Sequence, residues 1–323
     1  MMALPGSLVQ ERPSRRSQIC ARVARRTVLV QVRRSVQYQG ERSAANRLTT
    51  IGKRVNSVAR LQRVRPFKGL RVERHSLGPV LIETVHPMHG AGLNEGAILY
   101  LHGGGFVCGS LDSHRHVVAR LARWTAMPVV HVEYRQHPQV TVDESVQDCL
   151  TAYRWLLEQG VDASRMVLAG DSAGGFLAFA TVLAAQEQGL GVPAGVVGIS
   201  PLLDLDCTAR SEHGNAARDL MGVASVLPMI VDCASPRLDD RLALSPISGR
   251  LDDFPPTLII VSESEALLCD AERMYLALNR LGRECTLRIW PGQLHAFPAM
   301  LPFLPESKAA VEDIARFVRT QLA

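Results

Sequence analysis

Six short, almost wholly apolar runs recur along the chain, and their spacing leaves few folds open. They are AILYLHGGG (97–105), PVVHVEYR (128–135), RMVLAGDS (165–172), GVVGISPL (195–202), PTLIIVSES (256–264) and CTLRIWPG (285–292). Helical patterns stand among them at about 112–126, 144–159, 174–188, 268–281 and 306–322. A strand with one wet face alternates apolar and polar residues, whereas a strand that is apolar throughout needs cover on both faces. Strands of that kind alternating with helices predict a doubly wound α/β sheet, mostly parallel, with helices on both faces. Upstream, LRVERHSL (70–77) and PVLIETVHP (79–87) do alternate. They are expected as an antiparallel pair that brings the sheet to eight strands. Residues 205–250 break the rhythm with mixed polarity and Pro228, Pro236 and Pro246, which predicts a small helical cap inserted between strands.

The 323 residues are 47% hydrophobic and 21% charged, enough apolar material for one large domain. No stretch approaches the roughly 20 uncharged apolar residues that span a bilayer. The net charge of +5 conceals an asymmetry. Residues 1–75 carry 18 Lys and Arg against 3 Asp and Glu, and the other 248 residues carry 18 against 28. Two parts are therefore expected: a basic N-terminal arm or cap segment over 1–69, and an α/β domain over 70–323. Arg15 and Arg16 superficially suggest a twin-arginine signal, but Arg22, Arg25 and Arg26 interrupt the apolar core that must follow, so no signal peptide is expected. The arm admits two readings. One is a cap helix packed by Val23, Val28, Leu29, Val30 and Val32; the other is a basic helix that meets anionic lipid. Seven scattered cysteines with no C-x-x-C pair argue against a disulfide framework or a zinc site, and suit a reducing, cytoplasmic setting.

The run ending in GDSAGG holds the first chemical signal. Gly170-x-Ser172-x-Gly174 lies between an apolar strand and a helical pattern, the setting of a nucleophile elbow. A P-loop would need Gly-Lys-Ser/Thr, and no lysine occurs between Lys68 and Lys308; a dinucleotide loop would read G-x-G-x-x-G. LHGGGF (101–106) ends an earlier strand, and its glycines let backbone N–H groups approach a developing oxyanion. The expected donors are Gly103, Gly104 and Ala173. PGQLHAF (291–297) follows the last strand, where the chain order serine, acid, histidine puts the general base, so His295 is chosen from ten histidines. His114, His116, His131, His137 and His213 lack a strand-end setting with an acid and are expected to be structural.

In these motifs the chain resembles the hormone-sensitive-lipase family of α/β-hydrolase esterases. The match rests on His102–Gly105, Gly170–Gly175, SEALLCD (264–270) and His295-Ala296-Phe297, with weaker echoes in EYR (133–135), SPLLDL (200–205) and LSPISG (244–249). It covers roughly 70–323 and hardly touches 1–69. The resemblance implies an acid about 30 residues before the histidine, which is Glu265 here, where the family usually has aspartate. Asp270 stands 25 residues before and remains the alternative, with Glu263 behind both. The family usually reads L-A-P-E after EYR, whereas this chain reads QHPQ. The family's N-terminal segment usually joins the insertion in forming the cap. By resemblance the protein is a serine carboxylesterase for short- to medium-chain esters, with an amidase or deacetylase and a non-catalytic binding homologue as the alternatives. No metal or cofactor is expected. The expected partners are a small-molecule ester and no nucleic acid; peripheral membrane contact through the arm and a homodimer are left open.

Overall fold

The computed structural model describes residue 9, residues 12–26 and residues 68–323. The strands are β1 (Leu70–Leu77), β2 (Val80–Pro87), β3 (Ala97–Leu101), β4 (Val129–Glu133), β5 (Met166–Asp171), β6 (Gly195–Ile199), β7 (Thr257–Ser262) and β8 (Cys285–Trp290). They form one sheet in the order β1-β2-β4-β3-β5-β6-β7-β8. β2 runs antiparallel to β1 and to β4, and every other neighbouring pair is parallel. This is the eight-stranded, mostly parallel sheet that the apolar runs imply.

The main helices are α1 (Arg15–Arg26), α2 (Leu111–Thr125), α3 (Val142–Glu158) and α4 (Ala173–Glu187), then α5 (Thr208–Glu212), α6 (Val223–Ala234) and α7 (Leu238–Leu244), and finally α8 (Leu268–Arg280), α9 (Phe297–Met300) and α10 (Pro305–Gln321). Each central strand feeds two cores because successive side chains leave opposite faces. Leu99, Leu168 and Ile259 join Val146, Phe176 and Met274 of α3, α4 and α8. Ile98, Val167 and Ile260 join Val117, Leu121, Val311 and Ile314 of α2 and α10. That division explains why these strands carry no polar face. Local signals set the helix starts. Ser110 accepts the Ser113 N–H at the head of α2, and Glu144 reaches back to the Thr141 N–H at the head of α3.

Register fixes where loops gather. Leu101 pairs with Gly170, Asp171 with Ile199, and Ile199 with Ile260. The segments after β3, β5, β6 and β7 therefore leave the sheet at one carboxyl edge. α5, α6 and α7 lie between β6 and β7, within the stretch read as an insertion. A buried pair anchors them: Arg210 Nη1 lies 2.7 Å from Asp270 of α8. The N-terminal reading needs revision on one side chain. α1 buries Ser17 and Ala24, whereas Val23, expected to pack the helix, is 54% exposed. Val28, Leu29, Val30 and Val32 lie outside the described residues. All seven cysteines are free thiols. Among the described residues no helix is long and apolar enough to cross a membrane.

Candidate active site

Ser172 sits between the end of β5 and the first residue of α4 with φ 53° and ψ −119°, a backbone state that costs an ordinary residue about 1–3 kcal/mol. Two anchors hold it there: the Ser172 N–H donates to the Ile199 carbonyl at 2.9 Å, and the Leu202 N–H donates to the Ser172 carbonyl at 3.1 Å. Glycine two residues to either side is a steric necessity. A Cβ on Gly170 would stand 2.2 Å from the Gly174 carbonyl oxygen, and one on Gly174 would stand 2.1 Å from that of Leu101. The bend lifts the Ser172 hydroxyl out of the sheet edge and sets it at the N-terminus of α4, where partial positive charge favours an anion.

His295 reaches the same point from the loop after β8. Its Nε2 lies 2.9 Å from Ser172 Oγ, and its Nδ1 makes a short hydrogen bond to Glu265 Oε2. The imidazole is 8% exposed and the carboxylate 2%. Burial acts to lower the imidazole pKa, but the Glu265 charge and hydrogen bond, with Asp219 and Asp171 nearby, carry it above the ordinary 6.5. The other Glu265 oxygen is held by two donors, the Ser262 N–H at 2.7 Å and the Ser200 hydroxyl at 2.6 Å. The same Ser200 hydroxyl accepts the Ala296 N–H at 3.0 Å, so one buried side chain joins the acid to the residue after the histidine. From the insertion, Asn215 Nδ2 donates to the carbonyls of Glu263 and Glu265 at 2.7 and 3.0 Å. Asp270 is elsewhere. It is fully buried, both its oxygens face Arg210, and it accepts the N–H groups of Leu203 and Asp204. Glu263 is exposed.

The glycine loop after β3 departs from expectation at one position. The Gly103 N–H donates to Asp171 Oδ1 at 3.0 Å, so it is already spent. Among the described residues the N–H groups of Gly104, Gly105 and Ala173 have no protein acceptor. Asp171 organises this region. It also accepts the Tyr100 hydroxyl at 2.7 Å and faces His114 Nε2 at 3.3 Å. Burial opposes its charge, yet His114, Tyr100 and Gly103 bring its pKa down to about 2. His114, read as lacking an acid partner, therefore has one. His102 is buried with a pKa lowered to about 3, stays neutral, and turns Nδ1 toward the Gly103 carbonyl at 2.9 Å. The Tyr134 hydroxyl donates to the His102 carbonyl at 2.6 Å. Sequence reading missed Asp171 and Ser200, although both stand inside quoted motifs. Asn215 carried no sequence signal.

Residues 98–299 match a family model described as the alpha/beta hydrolase fold. The chain is 36% identical over 246 residues to an acetyl-hydrolase of Streptomyces hygroscopicus, covering 76% of this chain and 81% of that one. It is 37% identical over 230 residues to Esterase LipU of Mycobacterium tuberculosis, covering 69% and 77%. Among solved structures, an esterase from the bacterial hormone-sensitive lipase family aligns with a TM-score of 0.77 at 29% identity, covering 93% of this chain and 99% of that one. EstE5 soaked with p-nitrophenyl butyrate aligns with a TM-score of 0.79 at 28% identity, covering 96% and 99%.

Proposed function

The chain belongs to the α/β-hydrolase family as a carboxylic ester hydrolase of the hormone-sensitive-lipase type, and from that premise we propose that Ser172 is its nucleophile, His295 its general base and Glu265 the carboxylate that orients the base. The observation that carries the assignment is the unbroken relay from Ser172 Oγ through His295 to Glu265. Ser172 Oγ attacks the ester carbonyl while Nε2 takes its proton. Glu265 accepts the Nδ1–H, which leaves Nε2 free as the acceptor, and its charge stabilises the imidazolium that forms. The carbonyl oxygen, now negative, is received by the N–H groups of Gly104, Gly105 and Ala173. Collapse expels the alcohol with a proton from His295, and water attacks the acyl-enzyme with His295 again as base.

The acyl side is proposed to be short to medium in length, in a pocket capped by the insertion. Ile230 of α6 supports this, because its Cδ1 would lie 3.1 Å from a Cβ on Gly105 and so roofs the oxyanion loop. The acetyl-hydrolase relative supports it as well. The test is a series of p-nitrophenyl esters from acetate to dodecanoate beside p-nitroacetanilide. Hydrolysis should be fastest for the short esters and far slower for the anilide. Faster cleavage of the anilide would favour an amidase, and cleavage of none would favour a binding protein.

The basic arm is proposed to dock on anionic lipid. α1 has five exposed arginines, no acid, and an outer face with Ile19 56% and Val23 54% exposed. Each cation near an anionic surface contributes about 1 kcal/mol, screened within roughly 8 Å at physiological salt. Vesicles of phosphatidylserine and phosphatidylcholine should therefore sediment the protein at low salt and release it at about 0.5 M. No sedimentation at low salt would leave α1 as packing alone.

A further inference from the structure

Val9 and residues 12–17 attach to the body where the histidine loop leaves the sheet. The Val9 N–H donates to the Ile289 carbonyl at 2.9 Å, on the outer edge of β8. The Pro13 ring presses on Gly292, where a Cβ would meet its Cγ at 2.9 Å. Both carboxylate oxygens of Glu306, near the start of α10, receive Ser14, one from the N–H at 2.5 Å and one from the hydroxyl at 3.1 Å. The Ser17 hydroxyl donates to Gln293 Oε1 at 2.6 Å, with Ser17 2% and Gln293 1% exposed.

Gln293 is a junction. Its Nε2 donates to the Pro291 carbonyl at 3.0 Å, which closes the turn. Its own carbonyl accepts the Ser262 hydroxyl at 2.7 Å, and the Ser262 N–H holds the outer oxygen of Glu265. Two residues further on is His295. The amide of Gln293 thus takes a hydrogen bond from the N-terminal helix on one side, and its backbone meets the turn that carries the acid on the other. The body also holds this loop, through the Ser262 hydroxyl on the Gln293 carbonyl and the Ser200 hydroxyl on the Ala296 N–H, but a buried amide oxygen that lost its donor would still favour a different loop position.

We propose that Val9 and residues 12–17 form a clasp on the histidine loop, with Ser17 and Gln293 as positioning residues that hold His295 at its distance from Ser172. The inference rests on His295 as the base. The clasp touches neither substrate nor the reacting atoms, so its loss should lower kcat and leave KM alone. Misplacing a reacting group by about 1 Å can cost up to 10²-fold, while one net hydrogen bond corresponds to about three- to tenfold.

The test uses the full chain, with kcat and KM on p-nitrophenyl acetate and hydrogen exchange of the amides over 292–297. Ser17→Ala removes the donor, and Ala24→Arg puts a charge on the buried face of α1. We expect kcat to fall about three- to tenfold in Ser17→Ala and further in Ala24→Arg, with KM unchanged. Exchange over 292–297 should quicken in the same order, and exchange in β5 should not. Unchanged kcat in Ser17→Ala would overturn the clasp even if Ala24→Arg does not fold. Unchanged kcat in a folded Ala24→Arg whose α1 amides exchange faster would overturn it too. Ser172→Ala run alongside separates the two readings. Activity surviving that change defeats the assignment of the site, whereas a dead Ser172→Ala beside fully active α1 variants defeats the clasp alone.

Discussion

Glu265→Gln is expected to lower kcat by up to about 10⁴-fold, the size of the corresponding aspartate-to-asparagine change in serine proteases. The reason lies in the donors around the carboxylate. Ser262 N–H and Ser200 O–H both donate to Oε1, so the amide oxygen of glutamine must occupy that side. Its NH₂ then faces His295 Nδ1, which becomes an acceptor. The ring proton moves to Nε2 and points at Ser172, and a protonated Nε2 cannot take the serine proton. The charge that raises the His295 pKa is removed while burial, which lowers it, remains. In wild type the acid limb of kcat/KM should therefore stand above pH 6.5, the unperturbed value, since activity requires the neutral ring. In Glu265→Gln the limb should move to lower pH. Asp270→Asn should behave in the opposite manner. It leaves the buried Arg210 without its counter-charge, which costs about 3–5 kcal/mol of stability, and it should barely change kcat/KM where the protein is folded. Denaturant midpoints and pH–rate profiles of both variants decide the matter. A crippled Asp270→Asn beside a near-normal Glu265→Gln, or an acid limb that stays in place in Glu265→Gln, would contradict the assignment.

The sheet was legible because its strands are buried twice over, and that demand leaves the unbroken runs around Leu99, Val167 and Ile259. The elbow was legible because sterics forbid anything but glycine at 170 and 174. Other features depend on which partner a group finds. Gly103 and Gly104 are equivalent as letters, yet the Gly103 N–H is captured by Asp171, and only folding brings residue 171 beside 103. Ser200 stands unmarked within SPLLDL, and it meets Glu265 because the register of β6 on β7 sets it beside the Glu265 turn. Asp270 was read as the alternative acid of the site. Arg210, 60 residues away, makes it a buried ion pair, and the stability at stake grows accordingly. On α1 Val23 was expected to pack, but it is exposed while Ser17 and Ala24 are buried, and Ser17 meets a hydrogen-bond acceptor on Gln293 that no sequence pattern announces.

The central claim is that ester hydrolysis proceeds through an acyl group on Ser172. The direct measurement treats wild type and Ser172→Ala with an alkyl p-nitrophenyl phosphonate, which phosphonylates an activated serine, and locates the adduct by peptide mass spectrometry beside an assay on p-nitrophenyl acetate. Removing the nucleophile should cut kcat by roughly 10⁴- to 10⁶-fold, with a remnant from the oxyanion hole and binding. The account predicts one adduct in wild type, on Ser172, with activity lost in proportion to labelling. It predicts a folded Ser172→Ala protein that carries no adduct and hydrolyses at the remnant rate. A folded Ser172→Ala protein that keeps more than about a tenth of wild-type kcat, against the several orders of magnitude expected, or inhibition of wild type with the adduct on another residue, would contradict it.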